Sequence, residues 1–364
     1  MRIAFPHMGH IYVPLRAAFH QLHVDTVVPP PNSHRALSLG VRYSPETLCV
    51  PFKLTLGNMI EALDLGADTL LMAAGRNLCR FGYYAKVQER ILRDMDYHFE
   101  MITTDLFEGK IVGIARLIQR LSGGAPTLKV VAAIRFGLAK LGVLDELERV
   151  VHQVRAVELE KGATTRVWRE ALEAIDKADD YEELNRARAA YMEKLGQVPR
   201  DREALPLKVG IIGEFFVVLE PFSNMDVEVE LGRLGVEVRR NTFVSEWMKF
   251  SLFLNAFGLS EKEKLHRAAS PYLRRDVGGD GWESVGEKAL HASNYDGLVH
   301  LAPFTCMPEI VAQNIMPSVK GDIPVLTILC DEQMGRAGML TRLEAFVDLL
   351  KRRRRKFDGC LSRH

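Results

Sequence analysis

The stretch at residues 295–314, YDGLVHLAPFTCMPEIVAQN, constrains the fold of this chain more than any other. It predicts an apolar strand, a short turn and a helix, with Cys306 at the junction and Pro308 in the first helical turn, where proline is accepted. A thiol at a helix N-terminus lies among unpaired N–H groups at the positive end of the helix dipole, so its thiolate is favoured. The junction therefore predicts a thiol suited to binding a metal or to acting as a nucleophile.

Two further cysteines, in the first part of the chain, repeat this arrangement. Cys49 precedes the helical run 54–65, and Cys79 follows the apolar segment 67–74 and precedes another helical run. One cysteine before a helix is a weak signal, but three in the same local setting indicate a shared role. The pattern identifies Cys49, Cys79 and Cys306 as candidate metal ligands.

The chain has five cysteines in 364 residues, too few and too scattered for a disulfide scaffold. In a reducing compartment, thiols on loops more often serve metal binding or catalysis. Cys330 ends the apolar segment 323–330, which favours a buried core thiol, and Cys360 lies in a polar tail. We expect both of these cysteines to be dispensable for metal binding.

Short apolar segments alternate with helical patterns over most of the chain, as in parallel sheets covered by helices. The sequence predicts an α/β protein with two Rossmann-like open-sheet domains and a charged helical segment between them. In such sheets, ligands bind beyond the carboxyl ends of the strands. The predicted limits are an N-terminal domain at 1–143 with Cys49 and Cys79, a helical segment and linker at 144–206, a C-terminal domain at 207–357 with Cys306, and a tail at 358–364.

Apolar periodicity also predicts the individual elements. Strands are expected in the first domain at 2–5, 25–28, 69–73 and 101–104, and helices at 12–22, 54–65, 82–94 and 111–121. In the second domain we expect a strand that begins at 207, further strands at 237–239, 298–301 and 325–329, and helices at 227–234 and 341–350.

The charge balance excludes several classes of partner. The formal net charge of +1 gives no overall attraction to nucleic acid or anionic lipid. No apolar run approaches the about 20 residues that a membrane span needs, and the N-terminus predicts a short strand, not a signal peptide. The basic run 351–356 can contact nucleic acid, but cations also complement a helix C-terminus, and no aromatic residues are interleaved with it. We expect a cytoplasmic protein that binds neither nucleic acid nor membrane.

The three candidate cysteines come from distant loops, which bears on the kind of metal site. If the two domains face each other across a cleft, the loops converge there. Three thiolates without a Cys-x-x-Cys pair suit an iron–sulfur cluster better than structural zinc, which usually has four ligands at short spacings. On spacing alone, three unrelated thiols remain an alternative. A further alternative is an α/β protein that binds a sugar or nucleotide without metal, although the turn 210–213 lacks the third glycine of a dinucleotide fingerprint.

Four motifs resemble a known family. They are SPETLCVPFKLTLGN at 44–58, CRFGYY at 79–84, PFTCMPE at 303–309 and DEQMGRAGMLTRLEAFVD at 331–348. Together they resemble the CoA-substrate-specific enzyme activase-related proteins, which are similar to subunits of 2-hydroxyacyl-CoA dehydratases and benzoyl-CoA reductases. The resemblance covers most of the chain except the charged helical middle.

The resemblance implies a cofactor and a partner. It implies a [4Fe-4S] cluster in the interdomain cleft, held by Cys49, Cys79 and Cys306, with one iron position open. It also implies a separate ATP-dependent activase or other electron donor, and an acyl-CoA or other small-molecule substrate. The expected function is that of an anaerobic iron–sulfur oxidoreductase or lyase, and the alternative is a non-catalytic iron–sulfur scaffold or carrier. The catalytic residues, the substrate and the oligomeric state stay open, with a homo-oligomer as one option.

Overall fold

The computed structural model of this protein describes residues 1–75, 79–103, 120–243, 245 and 261–361. The helix predicted at 111–121 lies almost wholly outside these residues. The chain divides into two compact units. Unit 1 comprises Met1–Val143 and Asp176–Leu184, and unit 2 comprises Leu144–Ile175 and Asn185–His364. These units are defined by contacts within the fold, and the domain limits at 143, 206 and 357 stay predictions.

Unit 1 contains a four-stranded parallel sheet with the order β2-β1-β3-β4. All four predicted strands are present, and each ends one or two residues earlier than the sequence pattern indicates. The two central strands are mostly buried, as expected of a parallel sheet with both faces covered, whereas the two edge strands are partly exposed. The four strands are β1 (Arg2–Ala4), β2 (Asp25–Thr26), β3 (Thr69–Met72) and β4 (Glu100–Thr103).

The helices of unit 1 include one that the sequence pattern missed, α2. Its N-cap is Ser33, whose hydroxyl accepts a hydrogen bond from Ala36 N–H, but its buried residues are only Ala36 and Gly40. The helix is absent from the predicted elements, although its apolar and polar residues separate clearly onto different faces. The helices described in unit 1 are α1 (Tyr12–Gln21), α2 (His34–Tyr43), α3 (Val50–Asp64), a short 3₁₀ helix (Arg80–Tyr83) and α4 (Tyr84–Asp94).

Three helices form the middle of the chain, and the first begins at residue 127, well before the charged helical segment that the sequence predicts at 144–206. This first helix buries a long apolar series that includes Phe136, Leu144 and Val151, whereas the second buries only Thr164, Ala171 and Ile175. These helices are α5 (Thr127–Val157), α6 (Ala163–Lys177) and α7 (Tyr181–Gln197).

Unit 2 contains a second four-stranded parallel sheet, with the order β6-β5-β7-β8. The predicted strands are again present. The strands are β5 (Leu207–Gly213), β6 (Val236–Arg240), β7 (Gly297–Pro303) and β8 (Val325–Cys330). The accompanying helices are α8 (Phe215–Leu219), α9 (Pro221–Asn224), α10 (Val227–Arg233), α11 (Glu261–Ala269), α12 (Gly281–His291), α13 (Met307–Ile315) and α14 (Arg336–Leu361).

The two sheets share one topology. In each, the chain passes from its first strand to a neighbour on one side and then crosses to the other side of that first strand. The order therefore reverses between β1 and β3 in unit 1 and between β5 and β7 in unit 2. The carboxyl edge at such a reversal is where open α/β sheets bind ligands. The predicted α/β class with two open parallel sheets is confirmed.

The last helix, α14, is longer than predicted and contains most of the basic run. Arg352 pairs with Asp348 at 2.7 Å, one helical turn away, and Arg353 pairs with Asp322 at 2.6 Å. These ion pairs account for part of the positive charge within the fold. Among the helices that the structure describes, none is both long and apolar enough to span a bilayer.

Candidate functional site

Each of the three candidate cysteines lies immediately before a helix. Cys49 precedes α3, Cys79 precedes the 3₁₀ helix that continues into α4, and Cys306 precedes α13. All three have an extended backbone, and none caps its helix through a side-chain hydrogen bond. This is the local position that the sequence pattern predicts, and it places each thiol at the positive end of a helix.

Within unit 1, the fold brings the loops of Cys49 and Cys79 together. Arg80, next to Cys79, donates a hydrogen bond of 2.9 Å from Nη1 to the carbonyl of Thr47, two residues before Cys49. The hydroxyl of Tyr84, at the start of α4, lies 2.5 Å from Cys49 Sγ. Cys49 is buried and Cys79 is partly exposed. The two thiols therefore belong to one connected region, although 30 residues separate them in the sequence.

Aromatic rings hold the Tyr84 hydroxyl in place at Cys49. The Tyr84 ring meets Phe52 edge to face, with 5.0 Å between centroids, and meets Phe81 in the same way at 5.2 Å. Phe52 is fully buried in the first turn of α3, so it fixes the ring relative to the helix that Cys49 precedes. Buried tyrosine rings of this kind combine apolar packing with one oriented hydroxyl group.

Two cations lie on the segments that carry this pair of cysteines. Lys53 is buried in the first turn of α3, and its Nζ is 3.4 Å from the carbonyl oxygen of Glu46. Arg80 holds the neighbouring carbonyl of Thr47. Positive charge on both segments favours thiolates, which carry negative charge and repel one another.

In unit 2, Cys306 follows β7 through a strained turn. Thr305 has a backbone φ of 68°, in the left-handed region that β-branched residues rarely occupy. The turn is closed by hydrogen bonds from Cys306 N–H to the carbonyl of Pro303 and from Ile310 N–H to the carbonyl of Cys306. Backbone strain of this kind persists where the surrounding fold enforces it, commonly at functional sites. Here it sets the position of a buried thiol at the start of α13.

Carboxyl groups that the sequence did not single out surround the same edge of the sheet. Glu214 directly follows β5, and its N–H donates to the carbonyl of Leu301 in β7. Asp280, the N-cap of α12, accepts a hydrogen bond of 2.9 Å from the N–H of Phe215. Both side chains come from loops at the carboxyl end of the second sheet. A charged residue directly after the apolar strand 207–213 is a sequence signal that points to Glu214.

A third carboxyl group at this edge, that of Glu309 in α13, is fully buried. Its Oε2 accepts hydrogen bonds from His300 Nε2 at 2.7 Å and from Ser284 Oγ at 2.9 Å. His300 lies in β7 and is also fully buried, and its Nδ1 is 3.3 Å from the hydroxyl of Thr327 in β8. The three elements β7, α12 and α13 thus meet at one buried carboxylate.

Burial sets the protonation of two of these carboxyl groups. Burial is the main reason that the pKa of Glu214 is raised from 4.5 to about 7. Hydrogen bonds from backbone N–H groups lower this pKa in part, and the charge of Glu309 raises it. Burial also raises the pKa of Asp280 well above its ordinary range, with added repulsion from Glu283, Glu214 and Glu309. Carboxyl groups that hold protons at neutral pH are typical of sites for acid–base chemistry.

Cys330, at the end of β8, is fully buried. Burial raises the pKa of its thiol to about 12, with additional repulsion from Glu214 and Asp331, and Arg342 opposes this only in part. A thiol that keeps its proton is a poor metal ligand. The prediction of a buried core cysteine is confirmed.

Another group in unit 2 has the geometry of a metal site. Glu148, His152 and Glu228 offer ligand atoms that all lie within 4.8 Å of one another, and no other such group occurs among the described residues. The guanidinium of Arg240, however, already pairs with both glutamates. Burial raises the pKa of Glu228, but Arg240, His152 and Arg155 outweigh it and lower that pKa to about 2. An ion-pair network explains this group without a metal.

The structure thus joins the loops of two of the three predicted ligands, Cys49 and Cys79, and places Cys306 in the other unit, at the start of the helix that contains the buried Glu309. No protein-family model matches the chain, and no curated protein matches it either. The functional argument therefore depends on the residues themselves.

Proposed function

We propose that this protein is an iron–sulfur redox protein of the 2-hydroxyacyl-CoA dehydratase-like class, in which Cys49, Cys79 and Cys306 hold one [4Fe-4S] cluster between the two domains with one iron position open. The observation that carries the proposal is the shared setting of the three thiols. Each lies at a helix N-terminus, and Cys79 and Cys306 follow the equivalent strands β3 and β7 of two sheets with the same order. The resemblance of the four motifs around these residues supports the same cofactor.

The donor set fits such a cluster. Thiolates are the usual ligands of iron–sulfur clusters, and three of them leave one iron for another ligand. Two of the three sulfurs, those of Cys49 and Cys306, are buried, which limits access of water and oxidants. The cations of Lys53 and Arg80 reduce the cost of placing negative charge in unit 1.

The residues around the thiols have separable roles in this proposal. With Cys49 as the thiolate that a cluster requires, Tyr84 donates its hydroxyl proton to Sγ and holds the sulfur in one orientation. Thr305 fixes the turn that presents Cys306. When bound, the cluster supplies one-electron transfer at low potential and a Lewis-acid position at the open iron. The substrate class is a small or CoA-linked molecule, and the electron comes from a separate donor, an ATP-dependent activase or another protein.

The competing function is that of a non-catalytic scaffold or carrier. A carrier has to release its cluster to another protein, which requires accessible ligands. Burial of Cys49 and Cys306 favours a resident cluster. Anaerobic electron paramagnetic resonance distinguishes the two functions, because a redox enzyme shows a reducible cluster whose spectrum changes when an acyl-CoA is added.

Ligand identity is tested by single substitutions. Cys49→Ala, Cys79→Ala and Cys306→Ala are each expected to lose most of the iron and sulfide bound per chain after anaerobic reconstitution. Cys330→Ala is the matched control, since it removes a buried thiol that keeps its proton, and it is expected to bind iron like the wild type. Wild-type iron content in any of the first three variants excludes that residue as a ligand. Loss of iron in the control would show a fourth thiolate.

A further inference from the structure

We propose that Glu214, Asp280, Glu309 and His300 form a proton-donating site at the carboxyl edge of the second sheet, which supplies solvent protons to the molecule that is reduced next to Cys306. The identity of the reduced molecule rests on the proposed function. The ability of the site to hold and exchange protons does not.

The position of the site follows from the sheet order. The order reverses between β5 and β7, and Glu214 is the first residue after β5. Cys306 follows β7, three residues after that strand ends. Glu309 lies in the first turn of α13, the helix that Cys306 precedes. Glu214 and Cys306 thus come from the two loops that flank the reversal, the usual location of a ligand in an open sheet, and Asp280, at the start of α12, reaches the same edge through its hydrogen bond from the N–H of Phe215.

One buried oxygen atom of the site has no hydrogen-bond partner among the residues that the structure describes. Oε1 of Glu309 is this atom, whereas Oε2 accepts from both His300 and Ser284. A buried carboxylate oxygen without a donor is unfavourable, and most buried polar atoms in folded proteins have one. A polar hydrogen from a bound molecule, or a proton held at a neighbouring carboxyl group, would satisfy Oε1.

The charges around the site are unevenly distributed. In the described part of the chain, the ion pairs of this group belong to Glu283, which pairs with Lys262 and His266, and to Glu309, which pairs with His300. Glu214 and Asp280 form none. Other charged or titratable groups at this edge are Cys330, whose thiol is acted on by Glu214, Asp331 and Arg342, and Lys262, whose positive charge acts on Asp280. Burial and the neighbouring carboxyl groups outweigh the charge of Lys262, so the pKa values of both Glu214 and Asp280 are raised and both groups are expected to hold protons.

The four residues differ in solvent exposure, and this difference separates their roles. Glu309 and His300 are fully buried, while Glu214 and Asp280 are partly exposed. Protons can therefore enter from solvent through Glu214 and Asp280, and the Glu309–His300 pair positions them. With its pKa at about 7, Glu214 both gives and accepts a proton near neutral pH, so it is the donor in this site.

The proton step balances with the electron step. A one-electron donor adds one electron to the molecule bound at the site and is itself oxidised by one electron. The O–H bond of the Glu214 carboxyl group breaks, and its proton forms a new bond to oxygen or carbon of the reduced molecule. A hydronium ion from solvent then returns one proton to the Glu214 carboxylate and leaves as water.

Infrared spectroscopy tests the proton-holding site without any metal. The wild-type chain is expected to show a protonated carboxyl band that disappears with a midpoint near pH 7, in metal-free as well as iron-loaded protein. Glu214→Gln is expected to lack that band, and Glu203→Gln, at an exposed position, is expected to keep it. Circular dichroism and urea denaturation establish whether Glu214→Gln folds. Asp280→Asn serves as a second variant, and it is expected to lose a carboxyl band that titrates at higher pH. Absence of a band that titrates near pH 7 from the wild type overturns the inference.

A potential measurement tests coupling to the electron. If Glu214 takes up one proton when the iron-loaded protein takes up one electron, before any molecule is reduced, the midpoint potential falls by about 59 mV for each unit that the pH rises, which is a tenfold fall in proton concentration. The slope is expected to vanish in Glu214→Gln and to persist in Glu203→Gln. A flat slope in the wild type overturns the coupling. If the infrared band is present but no iron binds, the proposed function fails while the proton-holding site stands.

Discussion

The Tyr84 hydroxyl lies 2.5 Å from Cys49 Sγ. Tyr84 is the first residue of α4, and Cys49 immediately precedes α3. These residues are 35 positions apart in the sequence. The contact makes the first candidate ligand dependent on a side chain from α4. It joins the Cys49 thiol to the aromatic packing of the unit 1 core, and it gives that thiol a hydroxyl partner whose removal leaves the ring in place.

Tyr84→Phe is expected to make Cys49 less reactive without unfolding unit 1. A hydrogen bond to a charged group is worth about 1.5–3 kcal/mol, so its loss lowers the thiolate fraction and slows alkylation of Cys49 by about tenfold or more. The ring contacts with Phe52 and Phe81 are retained. The measurement is the rate of iodoacetamide labelling at Cys49 in metal-free protein, read by mass spectrometry. Tyr83→Phe, at a side chain that is 65% exposed, is the control and is expected to react like the wild type.

The close packing of α2 against α3 depends on glycine. A Cβ atom at Gly57 would lie 1.9 Å from the carbonyl oxygen of Ala36, so Gly57→Ala must push the two helices apart. We expect a loss of about 1–3 kcal/mol in the free energy of unfolding. We also expect less iron bound per chain, because Cys49 lies in the segment that connects these helices. Gly142→Ala is the matched control, since Gly142 is also within a helix and a Cβ there meets nothing within 4 Å.

The Gly142→Ala control is expected to change the free energy of unfolding in the opposite direction. Replacement of an unconstrained helical glycine by alanine stabilises by about 0.5–1 kcal/mol, because glycine loses more conformational freedom on folding. Urea denaturation of both variants provides the measurement. Equal effects in the two variants would contradict the packing explanation.

Glu228 is expected to stabilise unit 2 above acidic pH. Its pKa is lowered from 4.5 to about 2, so the folded state holds fewer protons than the unfolded state between these values. The stabilisation is therefore fully present above pH 4.5 and is lost as the pH falls toward 2, by about 3 kcal/mol in total. The measurement is the difference in unfolding free energy between the wild type and Glu228→Gln from pH 2 to 6. A difference that does not change with pH would contradict the role of Arg240 as its partner.

Glu214 is expected to show the opposite pH dependence. Its pKa is raised from 4.5 to about 7, so the unfolded state loses this proton first as the pH rises. Stability therefore falls by about 3 kcal/mol between pH 4.5 and 7, and Glu214→Gln removes that decline. The same denaturation series serves both glutamates. The difference in unfolding free energy from the wild type should change with pH in opposite directions for the two variants. No general change in net charge can produce opposite directions.

Local sequence signals determined that Cys49 and Cys306 lie immediately before helices. Cys49 and Cys306 are each followed within two residues by a proline, at Pro51 and Pro308, and then by apolar residues that continue a helix. Proline in the first turn loses no helical hydrogen bond, so the pattern of neighbours alone fixes the helix start. The strands and their parallel class were predictable for a similar reason, because continuous apolar runs between helices can only be buried on both faces. The helix α2 was not among the predicted elements, although its apolar residues lie on one helical face.

Only the tertiary structure decided what surrounds those cysteines. The bond from Arg80 to the Thr47 carbonyl crosses 33 positions, and the bond from the Phe215 N–H to Asp280 crosses 65. Neither is encoded in any local pattern. The protonation of Glu214 depends on how completely neighbouring elements exclude water from its carboxyl group. Desolvation and charge repulsion are properties of packed groups from distant segments, whereas helix starts and strand periodicity are properties of adjacent residues.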